Sequence, residues 1–171
     1  TLVVKMVKET SVLSNQQIVV SIPNVRKDIP LFIVMRALGI LSDKEIVEYI
    51  LLDLDKYSHY FSLLRPSVHD AGYIFTQEAA LKFIATFTKG KTISHAMQIL
   101  MNYFLPHIGE LNFKQKAHYL GYITKRMLMV ATNEAEATNR DSYVFKRIEI
   151  PGTLIYDLFK EYYTLQQNDI F

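Results

Sequence analysis

The chain has 171 residues, half of them apolar, and a formal net charge of only +2. That is enough to bury one proper core and too apolar for a disordered chain; it gives no bulk electrostatic pull toward nucleic acid, so any such contact must come from a local patch. With no cysteine, disulfides, thiolate zinc sites and a cysteine nucleophile are excluded.

Residues 2–7 alternate, with Leu2, Val4 and Met6 on one face, and 17–22 repeat the pattern with Ile18, Val20 and Ile22. This predicts two strands, paired antiparallel across the turn chemistry of Ser14-Asn15-Gln16. Pro23 and Pro30 bound an irregular connector. From there the period is helical. Residues 31–38 predict a short, nearly all-apolar helix stopped by Gly39. Ser42-Asp43-Lys44-Glu45 reads as a capping box opening a helix with Ile46, Ile50 and Leu54 on one stripe. Residues 57–64 predict another short helix, ended by Pro66. Thr76 is placed to cap a helix over 77–87. The turn Thr88-Lys89-Gly90-Lys91 breaks it, and a helix over 93–105 follows, closed by Pro106. Asn112-Phe113-Lys114-Gln115 is a second capping-box candidate. It opens the longest helix, 113–131, where the small residues Ala117 and Gly121 permit close approach of a neighbour. Residues 132–138 are a polar linker, 143–150 read as extended, and 153–167 as a last helix with Leu154, Leu158, Tyr162 and Leu165 on one face.

The fold class expected is therefore α+β: a mostly α-helical domain with a small antiparallel β element near the N-terminus. The whole of 1–171 reads as a single domain. Its parts are a β-rich entry (1–30), a helical body (31–131), a linker (132–152) and a C-terminal helix (153–171). No run has the length of a membrane span; the longest apolar one, 31–41, is interrupted by Arg36. The opening Thr1-Leu2-Val3-Val4 is no signal peptide, and both ends read as those of an excised segment.

Little catalytic chemistry is visible. The glycines at 39, 72, 90, 109, 121 and 152 never fall in a phosphate-cradling spacing. The histidines at 59, 69, 95, 107 and 118 include no i,i+4 pair, so they read as surface or hydrogen-bonded residues rather than metal ligands. Asp53 and Asp55, two apart on a helix, point to different sides and make a poor acid/base pair. No nucleophile and base stand at usable spacing. The expected catalytic and metal-ligating sets are both empty.

Cations carry the remaining signal. Arg36 interrupts an apolar helix, and burial of a guanidinium demands partners; it either caps the helix end through carbonyls and an acid or snorkels to the surface, with nucleic-acid contact the minority reading. Lys89 and Lys91 put two charges on one exposed turn, either for solubility or for phosphate contact. In Asn139-Arg140-Asp141-Ser142-Tyr143-Val144-Phe145-Lys146-Arg147, cation positions bracket two aromatics. That composition suits backbone contact plus base stacking, and equally a salt-bridged connector.

The Arg-Asp to Lys-Arg stretch resembles a motif of the second-largest subunit of multisubunit DNA-directed RNA polymerases of the eukaryotic, archaeal and large-DNA-virus type. Arg36-Ala37-Leu38-Gly39, Phe104-Leu105-Pro106-His107, Leu120-Gly121-Tyr122 with Arg126-Met127-Leu128, then Gly152 and Leu158-Phe159-Lys160 are similar to that subunit's lobe region, in the same order. The resemblance runs from about Ile18 to the end. Asn139 stands where many members have an acid. Val144-Phe145 stand where many have glycine and a polar residue, so the loop here is stiffer. Arg-Asp-Ser-Tyr looks more like the polymerases of large cytoplasmic DNA viruses than like the nuclear enzymes.

The resemblance implies a lobe that forms one jaw of the DNA cleft and a docking surface for transcription factors. Its partners would be other polymerase subunits and domains, transcription factors and downstream DNA, with no membrane. This stretch would hold no catalysis and no cofactor: nucleotidyl transfer, Mg and Zn would belong elsewhere in the parent polymerase. Location would be the nucleus for a cellular eukaryotic enzyme, the cytoplasm or virion for a viral one. Arg140, Asp141, Lys146 and Arg147, with Lys89 and Lys91, become candidates for facing the cleft or nucleic acid. Asp141 would orient one of those cations. Arg36, Gly39, Pro106, Gly121 and Arg126 are assigned to fold architecture. The rival reading is a free-standing helical protein–protein adaptor.

Overall fold

The computed structural model describes residues 2–7, 17–139, 141–146 and 148–170, with the Asn168 side chain left out. Where the sequence reads as one domain, the structure separates two compact units, Thr1–Ala135 and Glu136–Phe171. The division falls inside the expected linker.

The first unit opens with a three-stranded antiparallel sheet in the order β1 (Val3–Val7), β2 (Gln17–Ser21), β3 (Ile29–Pro30). The register pairs Val4 with Val20 and Met6 with Ile18, so the predicted apolar faces of the two long strands coincide. The expected turn at 14–16 lies outside the described residues. Pro30 leads directly into α1 (Leu31–Ala37), whose seven residues are all buried. This helix is the centre of the unit: the sheet, α2 (Asp43–Leu51), α3 (Phe61–Ala71) and α4 (Gln77–Thr86) all pack on it. α4 pairs with α5 (Ile93–Asn102), and α2 with the long α6 (Phe113–Ala131). The fold class is the α+β one expected.

The end of α1 shows why Gly39 is required. Its φ is +100°, and from that conformation Gly39 N–H donates to Arg36 O while Ile40 N–H donates to Met35 O. These two bonds close the last turn of α1 in the Schellman pattern and bury Ile40 beneath it. Gly121 serves a different purpose. A Cβ there would collide with the Tyr49 carbonyl, so α6 lies directly against the backbone of α2.

Several expectations are corrected. Pro66 does not end a helix; α3 runs through it to Ala71. The missing N–H costs one bond, but Leu64, Ser67 and Ala71 are buried, and the Ser67 hydroxyl accepts from Ile18 N–H of β2. Tertiary contact holds the helix across the proline. Neither capping box forms: Ser42 and Asn112 make no side-chain cap. Asp43 is engaged by Arg36 instead, and the Asn112 amide donates to Ile108 O. Thr76 and Thr92, in contrast, accept from Ala79 and His95 N–H. α5 stops at Asn102, because Leu105 sits at φ +49° and cannot continue it. Pro106 then begins a single 3-10 turn over Pro106–Ile108.

In the second unit no strand forms among the described residues of 143–150. The chain turns instead, with Phe145 N–H donating to Ser142 O and Lys146 N–H to Tyr143 O. α7 (Pro151–Ile170) starts earlier than expected, with proline at a helical first position where its absent N–H is not needed.

Candidate nucleic-acid interface

The sequence-predicted cations fall into two groups, one in each unit. In the second unit, the Asn139 side-chain oxygen accepts from Asp141 N–H at 2.9 Å, an Asx turn that starts the 139–146 loop. Lys146 Nζ stands 3.7 Å from Asp141 Oδ1, with both side chains open to water. The distance makes this an ion pair rather than a charge-assisted hydrogen bond, and such a pair is weak. The same ammonium lies 5.7 Å from the centre of the Tyr143 ring. Tyr143, Val144 and Phe145 are all exposed. Arg140 and Arg147 lie outside the described residues.

In the first unit, Lys89 and Lys91 stand on the turn between α4 and α5. The turn is braced from below by Thr88, which is buried. Its hydroxyl donates to Ala85 O at 2.9 Å and accepts from Lys91 N–H at 3.2 Å, holding Lys91 at φ +49°. A backbone bridge between Val25 and Thr88, and Arg26 N–H donating to Phe87 O at 3.0 Å, join this turn to the 23–27 loop. Between the two segments lies a pocket of about 500 Å³ lined by Asn24, Lys89, Gly90, His95 and Tyr103.

The residues assigned to architecture divide. Arg36 is 1% exposed. It donates to Ile74 O and to Asp43 Oδ1 and lies 5.3 Å from the Phe75 ring centre, while its Nε has no partner among the described residues. It therefore ties α1 to the start of α2 and to the turn after α3, as a buried guanidinium must be tied. Gly39, Gly121 and Pro106 occupy the positions given above. Arg126 is exposed on α6 and makes no side-chain hydrogen bond or ion pair among the described residues.

Two structural clusters had no sequence signal. Lys116 is fully buried and donates to Leu100 O and Met101 O, both at 2.8 Å, at the C-terminus of α5. Burial pushes its ammonium below the usual lysine range. Lys125, nine residues further along α6, does the same for α2, donating to Leu51 O at 3.1 Å with the Tyr57 ring centre 3.8 Å away. The second cluster is Glu134, which accepts from Tyr60 Oη at 2.8 Å and lies 2.9 Å from His59 Nε2 and 3.1 Å from Thr132 Oγ1. The Tyr60 hydroxyl, then His59 and Thr132, hold the Glu134 carboxyl below its ordinary value. Burial and this carboxylate push the Tyr60 phenol up. Among the described residues no three His, Cys, Asp or Glu side chains gather as a metal site would require.

Residues 7–149 match the family model described as RNA polymerase Rpb2, domain 2. The chain belongs to this family, the lobe of the second-largest RNA polymerase subunit. The lobe match ends just before α7. Among curated relatives, DNA-directed RNA polymerase II subunit RPB2 of Encephalitozoon cuniculi is 38% identical over 149 residues, covering 82% of this chain and 13% of the relative. DNA-directed RNA polymerase II subunit 2 of Arabidopsis thaliana is 38% identical over 165 residues, 92% of this chain and 14% of the relative. The archaeal subunit Rpo2 of Saccharolobus solfataricus is 36% identical over 148 residues, 82% and 13% respectively. The chain thus spans about one seventh of the relatives it matches. Lobe membership replaces the free-standing adaptor reading.

Proposed function

We propose that this lobe works as a passive jaw: a stiff helical body that flanks the DNA cleft of a DNA-directed RNA polymerase and offers docking faces to other subunits and to transcription factors. The observation that carries the reading is the family match over 7–149 joined to the packing of the first unit. α1 is wholly buried, and α2 and α6 touch at the backbone through Gly121. Such a body transmits force with little deformation.

Nucleotidyl transfer, with its Mg, and structural Zn belong to other parts of the parent enzyme in this proposal. The RNA polymerase II relatives favour a nuclear enzyme, with the cytoplasm or virion as the alternative for a viral one. Arg140, Lys146 and Arg147 face the cleft or an adjoining polymerase domain, and Asp141 keeps Lys146 near Tyr143. The stiff Val144-Phe145 step favours a protein neighbour or a phosphate reached through the long cationic side chains over close backbone approach.

The test uses the assembled polymerase. Lys146→Ala with Arg147→Ala is expected to leave subunit assembly intact, slow elongation several-fold and flatten its dependence on salt. Unchanged elongation and unchanged salt response would remove the cleft-facing role. Deletion of the lobe is expected to shorten the protected downstream duplex; an unaltered footprint would remove the jaw.

A further inference from the structure

Charge in the first unit is segregated. Between Glu78 and Glu110 the sequence contains no acid, while Lys82, Lys89, Lys91, His95 and His107 fall within that span. Residues 42–78, by comparison, carry Asp43, Glu45, Glu48, Asp53, Asp55, Asp70 and Glu78 against Lys44, Lys56, Arg65, His59 and His69. The near-zero net charge hides this division. The basic span contributes Lys89, Gly90, His95 and Tyr103 to the 500 Å³ pocket, whose fifth lining residue is Asn24.

The pocket is built rather than incidental. Its two walls are stitched by the Val25–Thr88 bridge and the Arg26–Phe87 bond, and the buried Thr88 fixes the turn. Gly90 has no positive φ; it is needed for space. A Cβ there would come within 2.9 Å of the His95 ring, so the turn backbone lies flat against the imidazole and positions it. Lys27 is drawn toward the same region, its ammonium 5.5 Å from the centre of the Phe87 ring. Tyr103, half exposed, presents an aromatic face.

We propose that this pocket binds one strand of nucleic acid, with backbone phosphate held by Lys89, the His95 imidazole N–H and the Asn24 side-chain amide, and a base laid on Tyr103. Lys91, in the same turn, takes the adjacent phosphate. Cations beside an exposed aromatic are the recognition chemistry of single strands, sequence-tolerant because every base has a π face. An acidic peptide would satisfy the cations and leave the aromatic ring unused. The assignment rests on the jaw reading and gives it a contact point.

The 171-residue chain is titrated by fluorescence anisotropy with a labelled oligo-dT 12-mer over a series of salt concentrations. Lys89→Ala with Lys91→Ala is expected to weaken binding on the order of ten-fold and to reduce the slope of log K against log salt by about 1.4, two phosphates on a single strand. Tyr103→Ala is expected to weaken it at least about five-fold with the slope kept, and Tyr103→Phe to restore it. Lys44→Ala with Lys114→Ala, exposed lysines on α2 and α6, is the control and should change neither quantity. Equal loss from the control pair, no effect of the turn pair, or equal binding of poly-glutamate would overturn the proposal. A wrong pocket with a right jaw gives an oligonucleotide signal indifferent to Lys89 and Lys91 while lobe deletion still shortens the polymerase footprint. A wrong jaw leaves the footprint unaltered.

Discussion

A buried ammonium is tolerated only where oxygens meet its N–H groups, and Lys116 meets two, at the open end of α5. The arrangement satisfies carbonyls that the helix cannot pair itself. Lys116→Ala should therefore cost about 2–4 kcal/mol, since two buried carbonyls are orphaned and a cavity opens; urea denaturation measures it. Because burial depresses the lysine, the folded chain binds this proton less readily than the unfolded one. Its contribution to stability consequently rises as pH climbs toward the free-lysine value. Glu134 has the opposite linkage. Its carboxyl is depressed, so its contribution is complete above the ordinary value of 4.5 and is lost as pH falls through the folded value. Tyr60→Phe, which removes the largest cause, should move the Glu134 titration up toward 4.5, read by carboxyl NMR. An unmoved midpoint would show that the Tyr60 bond does not hold the carboxylate.

At the level of elements, the contact between α2 and α6 is set by a missing side chain. Gly121→Ala forces a methyl against the Tyr49 carbonyl. It should destabilise the fold by about 1–3 kcal/mol through displaced helices, measured as a lowered urea midpoint with an unchanged m-value. This contact was legible: two small residues on the stripe of a long helix announce close approach, and the bounds 113–131 match, although the capping box that marked the start does not form. So were the apolar faces of β1 and β2, because alternation fixes register. The glycine stop of α1 was legible because glycine takes the positive φ that closes a helix end at little cost. What failed did so where distant partners decide. Pro66 lies inside α3 because Ser67 is claimed by Ile18 of β2. Ser42 makes no side-chain cap, and the first-turn acid Asp43 pairs with the distant Arg36. The end of α5 depends on Leu105 at positive φ, which no local propensity announces. Lys116 and Glu134 were invisible for the same reason: their partners are on other elements. Of the candidate site, the cationic residues could be read as types, and the 88–91 turn could be located. The pocket could not, since Asn24 and Tyr103 join Lys89 only through tertiary packing.

On the scale of the whole chain, the two units differ in how they end at their surfaces. The first closes around α1. The second carries Leu154, Leu158, Tyr162 and Leu165 on an exposed helix face, and no other helix or strand among the described residues of that unit covers it. Exposed apolar stripes of this kind associate. The purified chain should sediment with a mass that grows with concentration, and Leu158→Lys with Tyr162→Lys should restore a monomer at every concentration. Persistent association of that variant would place the sticky surface elsewhere.

The acid-free span between Glu78 and Glu110 also bears on encounter. A body with hardly any overall charge scarcely migrates in an electric field, yet a lopsided one turns in it. A polyanion approaching this lobe would rotate its lysine-bearing turn forward before touching, so salt should slow arrival even where the finished contact is small.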